Sequence, residues 1–325
     1  MTSADEPLAL GIIGAGIMGR RMLDAVQGQT QSPVRIAALW DPSPAARDHI
    51  ASAYPTVPLA ADAAAVVAAS ACVYVASPPA SHLLHAHAAL DAGRSIFCEK
   101  PLAVDLREAR AFVDEAGPRG AVNFPFASSA GVAALTRWMA DGTVGTPRRL
   151  TIEVGFAAWP RPWQADAAAW LDAPAEGGFT REVVSHFLFL SRRLLGPLAD
   201  LRGSVSFPDI GRSERAIAVT LRAGDVPVTL TGRVGVTALD DHNSWTLVGD
   251  AGAIRLRDWA IAERQQPDGH YEVTPDARPN AEERPIALRR QLEGVVRMAR
   301  GESHPLATLS EAFDVQEIVE GILTL

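Results

Sequence analysis

Gly11-Ile12-Ile13-Gly14-Ala15-Gly16-Ile17-Met18-Gly19-Arg20 follows the apolar run Leu8–Ile13 and opens a helical pattern over 17–26. A G-x-G-x-x-G spacing is weak alone and gains meaning in this strand-to-helix context. Here Gly14 permits the tight turn, Gly16 lets a pyrophosphate approach the backbone, and Gly19 allows close helix–strand packing. The phosphates would sit on the first N–H groups of the helix. The competing reading is a glycine-rich turn with no ligand. Asp41, twenty-two residues past Gly19, ends the next strand, where a carboxylate accepts hydrogen bonds from an adenosine ribose. That carboxylate would repel a 2′-phosphate, which favours NAD over NADP, although Arg47 is near enough to neutralise such a phosphate.

Outward from this stretch, short apolar runs alternate with helical patterns. Strands are expected at Leu8–Ile13, Val34–Trp40, Cys72–Ala76, Ser95–Cys98 and Gly120–Phe124, with a weaker one at Val57–Ala60. Helices are expected around 17–26, 44–53, 62–69, 81–92 and 105–116. Strands apolar on both faces and separated by helices make a parallel sheet covered on both sides, wound in two directions by right-handed crossovers. Gly14, Asp41, Ser77, Lys100 and Asn123 each follow a strand end, so five strands deliver polar groups to one crevice.

The chain then changes character. β-rich blocks at 148–158 and 198–273 flank a loop and a strong helix, and two helices close the chain at about 284–300 and 308–323. Strands near 199–207, 214–223, 226–237, 243–249 and 252–264, parted by tight turn signals, read as an antiparallel meander. The fold class is therefore α/β. A doubly wound Rossmann sheet occupies 1–124, and an α/β domain with a large open, mainly antiparallel sheet occupies 125–325.

Composition narrows the class of function. Charged residues make up 21% and hydrophobic ones 48%, which is ordinary for a globular chain. Thirty basic against thirty-eight acidic side chains leave −8, so neither nucleic acid nor a membrane is an expected partner. No secretory signal is expected of the acidic stretch Met1-Thr2-Ser3-Ala4-Asp5-Glu6-Pro7. The two cysteines, Cys72 and Cys98, lie in apolar runs and read as buried, reduced and cytoplasmic. His82, His85 and His87 lack a nearby acidic group to complete a tetrahedral set, so no metal is expected.

Gly14–Gly19, Ser77-Pro78-Pro79 with His82, the run Ala92-Gly93-Arg94-Ser95-Ile96-Phe97-Cys98-Glu99-Lys100-Pro101-Leu102-Ala103, Gly142-Thr143-Val144-Gly145-Thr146-Pro147, Gly177-Gly178 and His186 follow in order. Together they resemble the Gfo/Idh/MocA family of NAD(P)-dependent oxidoreductases, with Glu-Lys-Pro the most specific element. The resemblance implies cofactor contacts at Gly14, Gly16, Ile17, Met18, Gly19, Asp41, Ser77, Pro78, His82, Glu99 and Lys100. It places Lys100 next to the nicotinamide, and implies a homodimer or homotetramer formed through the C-terminal sheet. Two departures stand out. Glu182 occupies the place of an aspartate four before the histidine, and Val122-Asn123-Phe124-Pro125-Phe126 lacks the arginine or tyrosine of sugar-oxidising relatives.

Lys100 precedes a proline and is held extended, so its ammonium projects from the strand end. There it would stabilise alkoxide character as hydride departs. His186 lies on a helix with an apolar stripe of Val183, Phe187, Leu190 and Leu194, Thr180 as N-cap and a stop at Gly196-Pro197. Glu182, four residues earlier, shares its face and would fix the imidazole for accepting a proton, or the two form a plain surface pair. Asn123, Arg161 and Trp163 complete the substrate candidates, the arginine for a carboxylate or phosphate and the indole for a sugar ring. Trp159-Pro160-Arg161-Pro162-Trp163 equally suits a rigid interface loop. The expectation is an NAD-dependent dehydrogenase, NADP remaining possible, that oxidises a secondary alcohol of a sugar, polyol or similar small molecule. An NADP-dependent carbonyl or imine reductase and a non-catalytic dinucleotide-binding regulator are the alternatives.

Overall fold

The computed structural model describes residues 6–325, so Met1–Asp5 of the acidic opening lie outside the described residues. The chain forms two compact units, one of residues up to 128 with 284–313, the other of 129–283 with 314–325. In the first, β1 (Leu8–Ile13), β2 (Val34–Trp40), β3 (Cys72–Val75), β4 (Ser95–Cys98) and β5 (Gly120–Val122) run parallel in the order β5-β4-β3-β1-β2. The order reverses at β1, the switch point where such sheets bind ligands. Between the strands lie α1 (Ile17–Gln27), α2 (Pro44–Ala53), α3 (Ala63–Ala69), α4 (His82–Asp91) and α5 (Leu106–Ala116).

Side chains cap three of these helices. Ser43 Oγ accepts the Ala46 N–H (3.3 Å), Asp62 Oδ1 that of Ala65 (2.7 Å), and Asp105 Oδ1 that of Arg107 (2.7 Å). The expected strand Val57–Ala60 shrinks to one bridge, Leu39 to Leu59. Pro58 has no N–H to donate to a ladder, so pairing stops there.

A segment from the far end of the chain completes this unit. Ala307–Thr308 pairs antiparallel with β5, and Leu288, Leu292, Val295, Val296, Met298 and Leu306 join the core of Leu10, Ile12, Leu23 and Phe97. The units therefore do not follow a single cut between 124 and 125. A helix pattern shows that one face is buried but not which sheet buries it.

In the second unit, β6 (Pro147–Phe156), β7 (Leu198–Ser206), β8 (Ala216–Ala223), β9 (Val226–Val234), β10 (Asp241–Gly249), β11 (Ala253–Arg257), β12 (Ile261–Gln265) and β13 (Tyr271–Val273) form one sheet. Its order is β13-β12-β11-β10-β6-β9-β8-β7. The meander expectation needs correcting. β6 inserts between β10 and β9, antiparallel to the first and parallel to the second. Leu150, Ile152, Val154 and Phe156 are buried while Thr151 and Glu153 between them are not, so one face of the sheet carries the core. Helices α6 (Ala130–Ala140), α7 (Ala168–Leu171) and α8 (Ser185–Leu195) belong to this unit. The first was not expected from the sequence; Ser129 Oγ caps it through the Val132 N–H (3.5 Å). Phe187, Leu188 and Leu190 of α8 are buried, and Trp245 of β10 donates to Ser191 Oγ (2.9 Å).

Candidate functional site

In the first unit the glycine loop has the geometry its spacing demands. Gly14 has φ +106°, and a side chain there would meet the Ser77 nitrogen at 2.7 Å. One on Gly19 would meet the Gly14 carbonyl oxygen at 2.0 Å. At Gly16 a side chain would find open space out to 4 Å, and Gly16 begins α1 with no side-chain cap. Ile17 and Met18 are half-buried beside it. Uncapped helical N–H groups next to open space suit a pyrophosphate, so these residues fit a dinucleotide.

Asp41 is tied to this loop. Its Oδ2 accepts the Ala15 N–H and its Oδ1 the Ser43 N–H, each at 2.8 Å, and both oxygens keep lone pairs for ribose hydroxyls. Arg47 donates to the carbonyl oxygens of Asp41 (2.6 Å) and Pro42 (3.2 Å), which fixes a cation beside the carboxylate.

The ends of β3 and β4 are joined by His82, which is buried at the start of α4. Its Nε2 lies 2.8 Å from the Ser77 carbonyl oxygen and its Nδ1 2.8 Å from that of Pro101. The ring therefore bridges two loops. Burial first, then the Lys100 charge, holds its pKa below the ordinary histidine value, against the pull of the two carbonyls. Ser77 Oγ lies 2.7 Å from Ser81 Oγ, and Pro78 is exposed next to it. Lys100 is half-buried and is joined to Pro101 by a cis peptide bond.

Asn123 does not open to a crevice. It is 1% exposed, and its Nδ2 donates to Glu99 Oε1 (2.6 Å) and to Tyr74 Oη (3.2 Å). The Tyr74 hydroxyl donates to the same Glu99 oxygen. A substrate role for Asn123 gives way to a structural one, because burial demands that these polar groups satisfy each other. Glu99 is buried too, and this network fixes the residue before Lys100.

In the second unit Glu182 and His186 are the two positions between 181 and 190 that are not buried. Thr180 is not an N-cap. A π-helical turn, Thr180–Val184, precedes α8, and Glu214 accepts the Thr180 N–H (2.7 Å) in its place. Gly178 at φ +99° leaves room for that carboxylate, which a side chain would meet at 2.3 Å. Glu182 lies in this wide turn, so a spacing of four no longer equals one α-helical turn. Arg181 pins the turn by two bonds to Glu320 (2.7 and 2.6 Å).

Arg161 is buried and already engaged. Its Nη1 donates to Asp241 Oδ2 (2.5 Å) and its Nε to Gln164 Oε1 (2.9 Å), with Trp163 stacked 4.7 Å away. Anchoring a carboxylate would require breaking this pair, whereas Trp163 is 40% exposed.

Sequence reasoning missed Trp259. The stretch read as one strand over 252–264 is a hairpin, β11 to β12, turning at Asp258 (φ 47°) and Trp259 (φ 72°). Two left-handed residues fit a tight two-residue turn that ordinarily carries Asn-Gly, so the sequence held no turn signal. A tryptophan in this conformation costs of order 1–3 kcal/mol. Its ring lies 5.4 Å from that of His186, at 78°.

A doubly wound parallel sheet with this glycine loop and an acidic second strand end is the architecture of a dinucleotide-binding domain. Residues 8–125 match the Gfo/Idh/MocA family model, described as an oxidoreductase family with an NAD-binding Rossmann fold. The chain is 29% identical over 189 residues to an inositol 2-dehydrogenase of Rhizobium meliloti (strain 1021), a match covering 57% of this chain and 54% of that protein. The match thus spans about half the relative's length. Levoglucosan dehydrogenase in complex with NADH shares the fold with a TM-score of 0.83 at 16% identity, over 98% of this chain and 96% of that one. An Agrobacterium radiobacter oxidoreductase in complex with NAD+, L-tartaric acid and magnesium does so with a TM-score of 0.80 at 18% identity, over 97% and 95%. Among the described residues no helix is long and apolar enough to cross a membrane.

Proposed function

We propose that the protein is an NAD-dependent dehydrogenase that oxidises a secondary alcohol of a sugar, polyol or related small molecule. The observation that carries this is the Asp41 carboxylate bonded to the Ala15 N–H of an open, uncapped glycine loop, with Lys100 just past the end of β4 in the same parallel sheet. A nicotinamide dinucleotide bound at this loop supplies a hydride acceptor. Gly14, Gly16, Ile17, Met18 and Gly19 cradle its phosphates, Asp41 holds the ribose, and Ser77, Pro78 and His82 shape the adjoining wall. Glu99, tied back to Tyr74 and Asn123, fixes the backbone from which Lys100 reaches the substrate hydroxyl. The ammonium stabilises the developing alkoxide, His186 accepts the proton, and Glu182 orients His186. Trp163 offers the apolar face that a sugar ring prefers. The setting is cytoplasmic, and the side of the sheet carrying Thr151, Glu153 and Thr229 pairs copies into a homodimer or homotetramer.

The test is NAD+ reduction across myo-inositol, levoglucosan, aldoses and sugar acids. At least one should give turnover, and Lys100→Met and His186→Ala should each lower kcat by roughly 10²–10⁴. Native turnover in either variant overturns the assignment of that residue. The Arg47 guanidinium beside Asp41 favours a second reading, an NADP-dependent reductase. Rates with NADP+ above those with NAD+ at matched concentrations would select it.

A further inference from the structure

We propose that Trp259 is a positioning residue for His186, its indole held against the imidazole by Asn243 and by an Arg161–Asp241 pair. The inference rests on His186 being the proton acceptor of the function proposed above. The ring planes meet at 78° with centroids 5.4 Å apart, the edge-to-face geometry aromatic pairs prefer. The same indole packs on Phe187 at 5.4 Å, so it braces two consecutive residues of α8.

Both ends of Trp259 are fixed. Its N–H donates to Asn243 Oδ1 (3.0 Å), a side chain 1% exposed, and the Asn243 carbonyl accepts the Asp258 N–H (2.9 Å). Its Nε1 donates to Asp241 Oδ1 (3.1 Å), while Asp241 Oδ2 holds Arg161 (2.5 Å). His242 bonds Asp258 Oδ1 (2.7 Å) and Arg257 bonds its Oδ2 (2.8 Å), which pins the other half of the turn. Thus Gln164, Arg161, Asp241, Trp259 and His186 form one line of contacts drawn from four separate segments.

The choice of residue points the same way. At this φ glycine is unstrained and a large aromatic is not, so the turn would form more easily without the indole. Strain held by so many partners is the signature of a side chain placed for a purpose beyond the turn itself.

Trp259→Gly removes the ring while easing the backbone, and Trp259→Phe keeps an aromatic face without the indole N–H. With ¹³C-histidine labelling and assignment by His186→Ala, the His186 ring signal of the cofactor-free protein should shift to the unstructured position in Trp259→Gly. With whichever panel member turns over, kcat should fall roughly ten- to a hundredfold while KM for NAD+ stays native, since a misplaced group costs rate and not cofactor binding. Trp259→Phe should recover most of that loss. An unmoved His186 signal, or a native kcat in a folded Trp259→Gly, overturns the proposal. If Trp259→Gly fails to fold, Trp259→Leu takes its place: a moved His186 signal with a lowered kcat supports the proposal, and a native signal or rate overturns it. Should no substrate turn over, or His186→Ala retain full kcat, the function reading fails instead, and the ring signal still decides whether Trp259 sets the imidazole.

Discussion

Asp41 performs two tasks with one carboxylate, closing the glycine loop through Ala15 and presenting negative charge at the end of β2. Hydrogen bonds to a charged group contribute about 1.5–3 kcal/mol, so Asp41→Ala should lower kcat/KM for NAD+ by roughly ten- to a hundredfold. Arg47 would remain, bonded as before to the backbone oxygens of residues 41 and 42 and without a carboxylate beside it, so the preference for NAD+ over NADP+ should shrink or reverse. Initial rates with both cofactors check this, and an unchanged ratio would mean that Asp41 does not choose the cofactor. What could be read at this scale depended on how local the cause is. Gly19 and Lys100 owe their geometry to neighbours within a few residues, and the sequence displays those neighbours. Asn123 meets Tyr74 across 49 positions, and Arg161 meets Asp241 across 80. No local pattern says that such a polar side chain is already taken, so both read as available for substrate.

The central strands of the parallel sheet make a prediction in pH. Cys72 on β3 and Cys98 on β4 are buried, and burial pushes the Cys72 thiol up to about 12. Burial and then the Glu99 charge push Cys98 well above the ordinary thiol range, and the same two causes raise Tyr74 above the ordinary phenol range. Each group binds its proton more tightly folded than unfolded. That contribution is whole below the unfolded values, near 8.5 for thiols and 10 for the phenol, and is lost as pH climbs toward the native ones. Stability should therefore fall above about pH 8.5, by up to about 1.4 kcal/mol per pH unit for each group in its titration range. Melting temperatures from pH 7 to 10.5 test the sign. Ellman's reagent at pH 8 should find neither thiol in the folded protein and both in guanidinium. A melting temperature that rises with pH would refute the account. These strands could be read because they are apolar on both faces and bounded by helices. The β11–β12 hairpin and the π-helical turn could not. A tryptophan fills the left-handed turn position, and the turn is held by Glu214 from another part of the chain.

Across the whole chain, the first unit is discontinuous, and this sets how damage should spread. Leu292 is fully buried in the same core as Leu10 and Leu23, about 270–280 residues away in sequence, while β12 and β13 end within 30 residues of it and belong to the other unit. Periodicity announced the helix but not its host, because an apolar stripe fits either sheet. Ala307–Thr308, the strand that fixes the return, is only two residues long and too short to leave a pattern. Truncating a buried leucine to alanine costs about 2–5 kcal/mol, a large part of a domain's stability. Leu292→Ala should therefore speed amide exchange in Leu8–Ile13, Val34–Trp40 and Cys72–Val75, and weaken NADH binding as the glycine loop loses its support. Exchange in Ile261–Gln265 and Tyr271–Val273 should stay near native. Hydrogen exchange read by mass spectrometry separates the alternatives, because cooperative opening follows packing and not proximity along the chain. Faster exchange confined to residues 261–283, with Leu8–Ile13 still protected, would place this helix with its sequence neighbours and refute a first unit that closes on itself through residues 284–313.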